Sequence, residues 1–155
     1  MLHNPQVVLV FEEPVGLPRA FSDAKKIGQI LRNFISNALK FTRQGEVRVS
    51  AKSPEPGWVK FAVTDTGIGI AREHLGSLFR DFVQVDSRIQ RRVQGVGLGL
   101  ALSKRLAELL GGSVGVESEL RQGSIFYAIL PIHFAPGESP EPPIETARGA
   151  RLKDV

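Results

Sequence analysis

Between residues 27 and 39 apolar side chains return at steps that alternate between three and one: Ile27, Ile30, Leu31, Phe34, Ile35, Ala38 and Leu39. Such steps keep to one broad face of a helix. Ser22 and Asp23 are good N-cap types, so the helix should open there and run to about Phe41. Gln44-Gly45 should end it, with Gly45 suited to a left-handed terminus. At about 100° per residue, Lys26, Asn33, Asn37 and Lys40 collect on the opposite side, in a stripe roughly 60° wide. Elsewhere the period drops to two. Residues 6–11 (QVVLVF) read as a short strand broken by Pro14 and Pro18; 46–52 (EVRVSAK) and 58–64 (WVKFAVT) read as a pair joined by the turn PEPG, with Asp65 where the second strand ends. A short helix is predicted over 72–78. Residues 80–95 are polar, basic and weakly periodic, which predicts a mobile loop. Leu98, Leu102, Leu106, Leu109 and Leu110 restore helical spacing until Gly111-Gly112 stops it. Residues 113–118 and 124–130 read as the last two strands, and Pro131 ends the sheet. The order β-α-β-β-α-α-β-β predicts an α+β fold: a two-layer sandwich with a mostly antiparallel sheet and helices on one face.

The chain's 155 residues suffice for one domain with a real core. That domain is expected over 1–134, because the composition changes at Ala135: residues 136–143 (PGESPEPP) are linker-like, and 135–155 reads as a flexible tether. No apolar run approaches the ~20 residues of a membrane helix, and the opening residues lack a basic segment followed by an apolar stretch, so a cytoplasmic setting is expected. The absence of cysteine removes thiolate nucleophiles, disulfides and Cys-based zinc sites. A net charge of +4 raises the question of nucleic acid. The densest basic cluster, Arg88, Arg91 and Arg92, has no aromatics interleaved, so it reads as a solvated loop or a partner for small-ligand phosphates rather than for nucleic acid.

Three motifs carry candidate chemistry. In the first helix Asn33 and Asn37 stand one turn apart, although Asn is a mediocre helix former. They are either a solvated face or a site in which the Asn37 amide oxygen ligates Mg²⁺, a hard ion that keeps several waters and needs few protein ligands; Lys40 on the same stripe could then meet phosphate charge. The second motif is Asp65-Thr66-Gly67-Ile68-Gly69, either a plain turn or a carboxylate that accepts from an exocyclic amine while glycines let the backbone approach a flat base. An ionised Asp only accepts, which favours the amine of adenine over the carbonyl of guanine. The third is Gly95-Val96-Gly97-Leu98-Gly99, where glycines opening a helix expose backbone N–H groups to an anion, act as a hinge for the preceding loop, or do both. Its spacing is neither that of a Walker loop nor that of a dinucleotide fingerprint. Phe79 and Phe82 read as rings that anchor the loop; His3, His74 and His133 share no metal-ligand spacing, and no nucleophile elbow is present.

With these residues in place, the chain resembles the catalytic and ATP-binding domain of sensor histidine kinases, in the Bergerat-fold superfamily. Residues 29–42 (QILRNFISNALKFT) look like that family's N box, 65–69 like its first glycine box, 78–82 like its F box and 95–100 like its second glycine box. The resemblance implies ATP and Mg²⁺ as ligands. Asn37 would carry the metal, Asp65 would read adenine and Phe41 would pack near the base. Lys40, Gly95, Gly97 and Gly99 would attend the phosphates. Asn33, Gly67, Gly69, Ile70, Leu98 and Ser124 would complete the site, Ser124 supplying a hydroxyl near the adenine. Val96 stands where the family most often shows Thr or Ser, so a hydroxyl that could touch phosphate is missing.

Position 33 discriminates among relatives. In ATP-hydrolysing and serine-kinase members a Glu one turn before the metal Asn activates the attacking oxygen. Asn33 cannot act as that base, whereas an imidazole nitrogen already carries a lone pair, so transfer to histidine is expected. The family's phosphoacceptor is a histidine on a separate helical dimerisation domain, and a response regulator or receiver domain lies downstream. No such hairpin precedes Gln6, so the chain by itself should bind ATP without autophosphorylating. The alternatives are a nucleotide-sensing module without transfer, and an ATPase or serine kinase of the same superfamily.

Overall fold

The computed structural model describes residues 5–14, 16–17, 22–79 and 96–133, with only the backbone described at 96–98. The whole of the predicted loop 80–95, with Phe82, Arg88, Arg91, Arg92 and Gly95, together with His3 and the tail 135–155, therefore lies outside the described residues, as does the Leu98 side chain.

The elements follow the predicted order: β1 (Val7–Phe11), α1 (Ala24–Phe41), β2 (Gly45–Lys52), β3 (Trp58–Asp65), α2 (Arg72–Leu75), α3 (Val96–Leu109), β4 (Ser113–Glu119) and β5 (Gly123–Pro131). Asp23 rather than Ser22 caps α1: its carboxylate accepts from the N–H groups of Lys25 and Lys26 at 3.0 and 3.2 Å, and Lys26 Nζ closes on it at 2.6 Å. The helix ends where expected, at Phe41, but by another device. Thr42 turns to extended backbone (φ −110°) and its hydroxyl donates to the Ala38 carbonyl at 2.7 Å, which stops the helix without a glycine. Gly45 does take a positive φ, 130°, but as the first residue of β2, where a Cβ would run into the Thr66 hydroxyl. The helix α2 closes at Leu75, short of 78. Gly76 follows it, and the next turn buries Leu78 and Phe79.

The sheet order is β1-β2-β3-β5-β4, with β1 parallel to β2 and every other pair antiparallel. Helix α1 packs on β2, β3 and β5, helix α3 on β4 and β5, and the two helices on each other. Phe34 of α1 meets Phe126 of β5 with ring centroids 5.8 Å apart, which identifies the sheet face that the helices cover; Phe79 adds an edge contact to Phe126 at 6.3 Å. On that face the strand registers align Val49, Val63, Phe126 and Val116 in one row, all buried. Two residues along each strand the next row reads Val47, Asp65, Ser124 and Ser118. The core thus turns polar at one end of the sheet, still under the helices.

Candidate functional site

On α1 the middle of the polar stripe, Asn33 and Asn37, is not a solvated face. Asn37 is 3% exposed and its Nδ2 has no hydrogen-bond partner. A buried amide group left unsatisfied costs about 1–3 kcal/mol, so this one calls for a partner, a water or a ligand. Asn33 is half-buried and fully engaged: its Nδ2 donates to the Gly99 carbonyl and lies within bonding distance of Ser103 Oγ, both at 3.1 Å, while its Oδ1 accepts from Gln29 Nε2 at 3.0 Å. Ser103, buried in α3, donates to the same Gly99 carbonyl at 2.8 Å. Asn33 therefore ties the middle of α1 to the first turn of α3. Lys40, nearer the C-terminal end of the stripe, is exposed.

At that end of α1, Phe41 is half-buried and its carbonyl accepts the Ile68 N–H at 3.3 Å. Gly67 passes so close to the same carbonyl that a Cβ there would collide with it. Asn37 lies four residues from both Asn33 and Phe41, about 6 Å of helix rise in each direction. It is bracketed by the opening turn of α3 on one side and the turn after β3 on the other.

Asp65 ends β3, where the strand's in-out alternation keeps it on the helix side, 2% exposed. Its Oδ1 accepts the Gly67 N–H at 2.9 Å, and its Oδ2 is buried without a partner. Burial pushes the carboxyl's pKa up, because the charged form is poorly solvated there; backbone hydrogen bonds from Gly67 and Ser124 oppose the shift without cancelling it. A carboxylate held this way has one oxygen fixed by the backbone and one to offer a donor. Gly69 takes a φ of 71° and lies against the Glu119 carbonyl, so no side chain fits there. Ile70 is half-buried against the core and its N–H donates to Ser118 Oγ at 2.7 Å. Ser124 is 6% exposed and directly across the β3–β5 ladder from Asp65.

Gly97, Leu98 and Gly99 fall in the first turn of the 14-residue helix α3, where backbone N–H groups lack helical acceptors and the dipole favours an anion. Gly99 stands beside Asn33, leaving the Cβ position 3.7 Å from the amide carbon. The residues at hand fit Mg²⁺ with phosphate: the Asn37 amide supplies a hard neutral oxygen of the kind that ion takes, and the anion-favouring turn of α3 is its neighbour through Asn33. Among the described residues no three His, Asp or Glu side chains cluster as a metal site. The His74 imidazole lies 3.7 Å from Glu73 Oε1.

Sequence reasoning missed Ser103, Ser118 and Gly123. Ser103 and Ser118 are ordinary polar residues by local pattern, and the partners that tie them to the motifs, Asn33 and Ile70, lie 70 and 48 positions away. Gly123 carried a signal, as a glycine next to a strand start: a Cβ there would strike the Asp65 carbonyl.

Comparison with known proteins gives this geometry its context. Residues 22–133 match the family described as histidine kinase-, DNA gyrase B- and HSP90-like ATPases. The chain is 48% identical over 113 residues to hybrid signal transduction histidine kinase B of Dictyostelium discoideum, covering 70% of this chain and 6% of that protein. It is 44% identical over 116 residues to the autoinducer 2 sensor kinase/phosphatase LuxQ of Vibrio vulnificus, covering 72% of this chain and 14% of that one. Its fold superposes on full-length ShkA in complex with AMPPNP with a TM-score of 0.69 and 39% identity, over 84% of this chain and 26% of ShkA. The chain thus spans a small part of each of these relatives.

Proposed function

The chain belongs to the histidine kinase-, DNA gyrase B- and HSP90-like ATPase family, and we propose that it is the ATP-Mg-binding catalytic domain of a two-component sensor histidine kinase, acting on a histidine of a separate helical dimerisation and phosphoacceptor domain. The observation that carries this reading is that Asn37 and Asp65, 3% and 2% exposed, each keep a polar atom without a partner, Nδ2 and Oδ2, in an interior whose other buried polar side chains, among the described residues, are Thr42, Ser103 and Ser124. Asp65 takes the purine's exocyclic amine. Gly67, Gly69 and Ile70 bring backbone against the base, with Phe41 and Ser124 beside it. Gly95, Gly97, Leu98, Gly99 and Lys40 attend the phosphates, and Asn37 holds Mg²⁺. The metal, when bound, neutralises phosphate charge. The AMPPNP held by ShkA supports the nucleotide.

In the transfer the γ-phosphoryl leaves the bridging oxygen of ATP and joins an imidazole nitrogen, and ADP departs. Little is asked of the protein beyond positioning and electrostatics. Asn33 supports histidine as acceptor. It is an amide, unable to take a proton from water or a serine hydroxyl, and it is already occupied with Gly99 and Ser103. A response regulator or receiver domain would take the phosphoryl group next. A domain that consumes ATP works where ATP is plentiful, in the cytoplasm; no described helix is long and apolar enough to cross a membrane.

The test is to incubate the chain with γ-labelled ATP-Mg, with and without a histidine-bearing dimerisation hairpin. The expected result is nucleotide binding in both cases and acid-labile label on the hairpin histidine only when it is present. Binding without transfer would point to a nucleotide-sensing module. Rapid phosphate release by the chain alone would point to an ATPase.

A further inference from the structure

Across the polar end of the sheet, Asp65, Ser124 and Ser118 sit side by side on β3, β5 and β4. Nothing in the motifs marks Ser118, yet its hydroxyl has three neighbours at bonding distance. The Ile70 N–H lies at 2.7 Å, the Gly123 carbonyl at 2.9 Å and the Ser124 hydroxyl at 2.7 Å. We propose that Ser118 is a positioning residue that sets the purine preference of the nucleotide site, by holding the Ser124 hydroxyl as an acceptor and pinning Ile70; this rests on the nucleotide reading above.

The direction of each proton follows from valence. A serine hydroxyl has one proton and two lone pairs. The Ile70 N–H can only donate, so it takes one lone pair of Ser118. The Gly123 carbonyl can only accept, so it takes the Ser118 proton. One lone pair of Ser118 remains for Ser124, and Ser124 must donate into it. The Ser124 proton is then committed toward β4, and the hydroxyl offers only lone pairs elsewhere. Across the ladder the ionised Asp65 is also acceptor-only, with Oδ2 unpartnered.

Two adjacent acceptors suit the exocyclic amine of adenine and oppose the carbonyl that guanine and hypoxanthine carry at the same ring position. Asp65 alone would discriminate less, because a carboxylate also pairs with the N1–H and the 2-amino group of guanine. A Ser124 hydroxyl free to rotate would turn its proton to a purine carbonyl. Ser118 removes that freedom. The same hydroxyl anchors the Ile70 N–H, so the backbone after Gly69 and the acceptor row are set by one group.

Calorimetric titration of the 155-residue chain with ATP-Mg and with ITP-Mg tests this, since hypoxanthine keeps the carbonyl and lacks the 2-amino group. The wild-type chain is expected to prefer ATP. Ser118→Ala should lower the ATP-to-ITP affinity ratio by about three- to tenfold, the worth of one neutral hydrogen bond, and Ser118→Thr, which keeps the hydroxyl, should restore it. Ser124→Ala removes the acceptor but leaves the Ile70 and Gly123 bonds, and should lower the ratio similarly. A Ser118→Ala chain that weakens both nucleotides equally, with the ratio unchanged, overturns the proposal in favour of a merely structural role. Should Ser118→Ala fail to fold by circular dichroism, an unchanged ratio in Ser124→Ala overturns it instead. A folded wild-type chain that binds neither nucleotide removes the nucleotide reading and this inference together; wild-type preference for ATP with unaltered variants removes the inference alone.

Discussion

Replacing Asp65 by Asn should separate function from stability in opposite directions. In the wild-type site Oδ1 is fixed by the Gly67 N–H at 2.9 Å. An amide must give its oxygen to that same N–H, so its NH₂ group lands where Oδ2 was. The site then offers a donor to the adenine amine, itself a donor. The loss is one hydrogen bond to a charged group, about 1.5–3 kcal/mol, or about 10- to 150-fold in affinity. The effect on the fold runs the other way. Burial raises the Asp65 pKa above its ordinary 3.8, so the folded chain binds that proton more tightly than the unfolded chain. Stability therefore falls as pH rises from the unfolded value through the raised folded one, and the whole penalty persists above it. Asn carries no such charge. The stability gap in its favour should open across that window and stay constant at higher pH, offset in part by the buried NH₂. Calorimetry with ATP-Mg at neutral pH measures the first effect, and urea melts over a pH series measure the second. Unaltered nucleotide affinity, or a gap that does not depend on pH in the acid range, would refute the reasoning.

Asn33→Ala removes the bonds to Gly99 and Ser103 at 3.1 Å and should cost about 1–2 kcal/mol in urea unfolding, since Ser103 still satisfies the Gly99 carbonyl; an unchanged midpoint would mean that α3 is held otherwise. Gly69→Ala meets both a left-handed backbone, worth about 1–2 kcal/mol, and the Glu119 carbonyl. It should lower the melting temperature and weaken ATP together, and a variant with wild-type values for both would contradict the packing of the two turns. Phe34→Ala empties a site that is 0% exposed and should destabilise by about 3–5 kcal/mol, read as a large drop in denaturation midpoint.

Local pattern was enough for the elements. The alternating steps from Ile27 to Leu39 predict the length of α1 to within a residue or two, because a helix buries one face and repeats every 3.6 residues whatever it packs against. The strands are equally legible, since Val47, Val49, Val63 and Phe126 follow the period of two. One terminating device and one boundary were misjudged, for identifiable causes. Thr42 ended α1 through a side-chain bond to Ala38 that no periodicity signals. At Gly76 the helix α2 stopped while the burial pattern ran on through Leu78 and Phe79.

From residue types and their order came the candidate chemistry: an amide-bearing helix turn, a carboxylate before glycines, a glycine cluster opening a helix. What a string of letters leaves open is whether Asn37 faces water or an interior, because a helical wheel ranks positions around an axis without saying what lies on each side. Tertiary packing decided that: Asn37 is buried, and Asn33 is bound to Gly99 of α3. Strand register decided the rest. It set Asp65 beside Ser124 and Ser124 beside Ser118, neighbours 59 and 6 positions apart in the chain, and so fixed which hydroxyl donates to which. Hydrogen-bond direction depends on who stands within about 3 Å, and only the folded chain brings those groups within that distance.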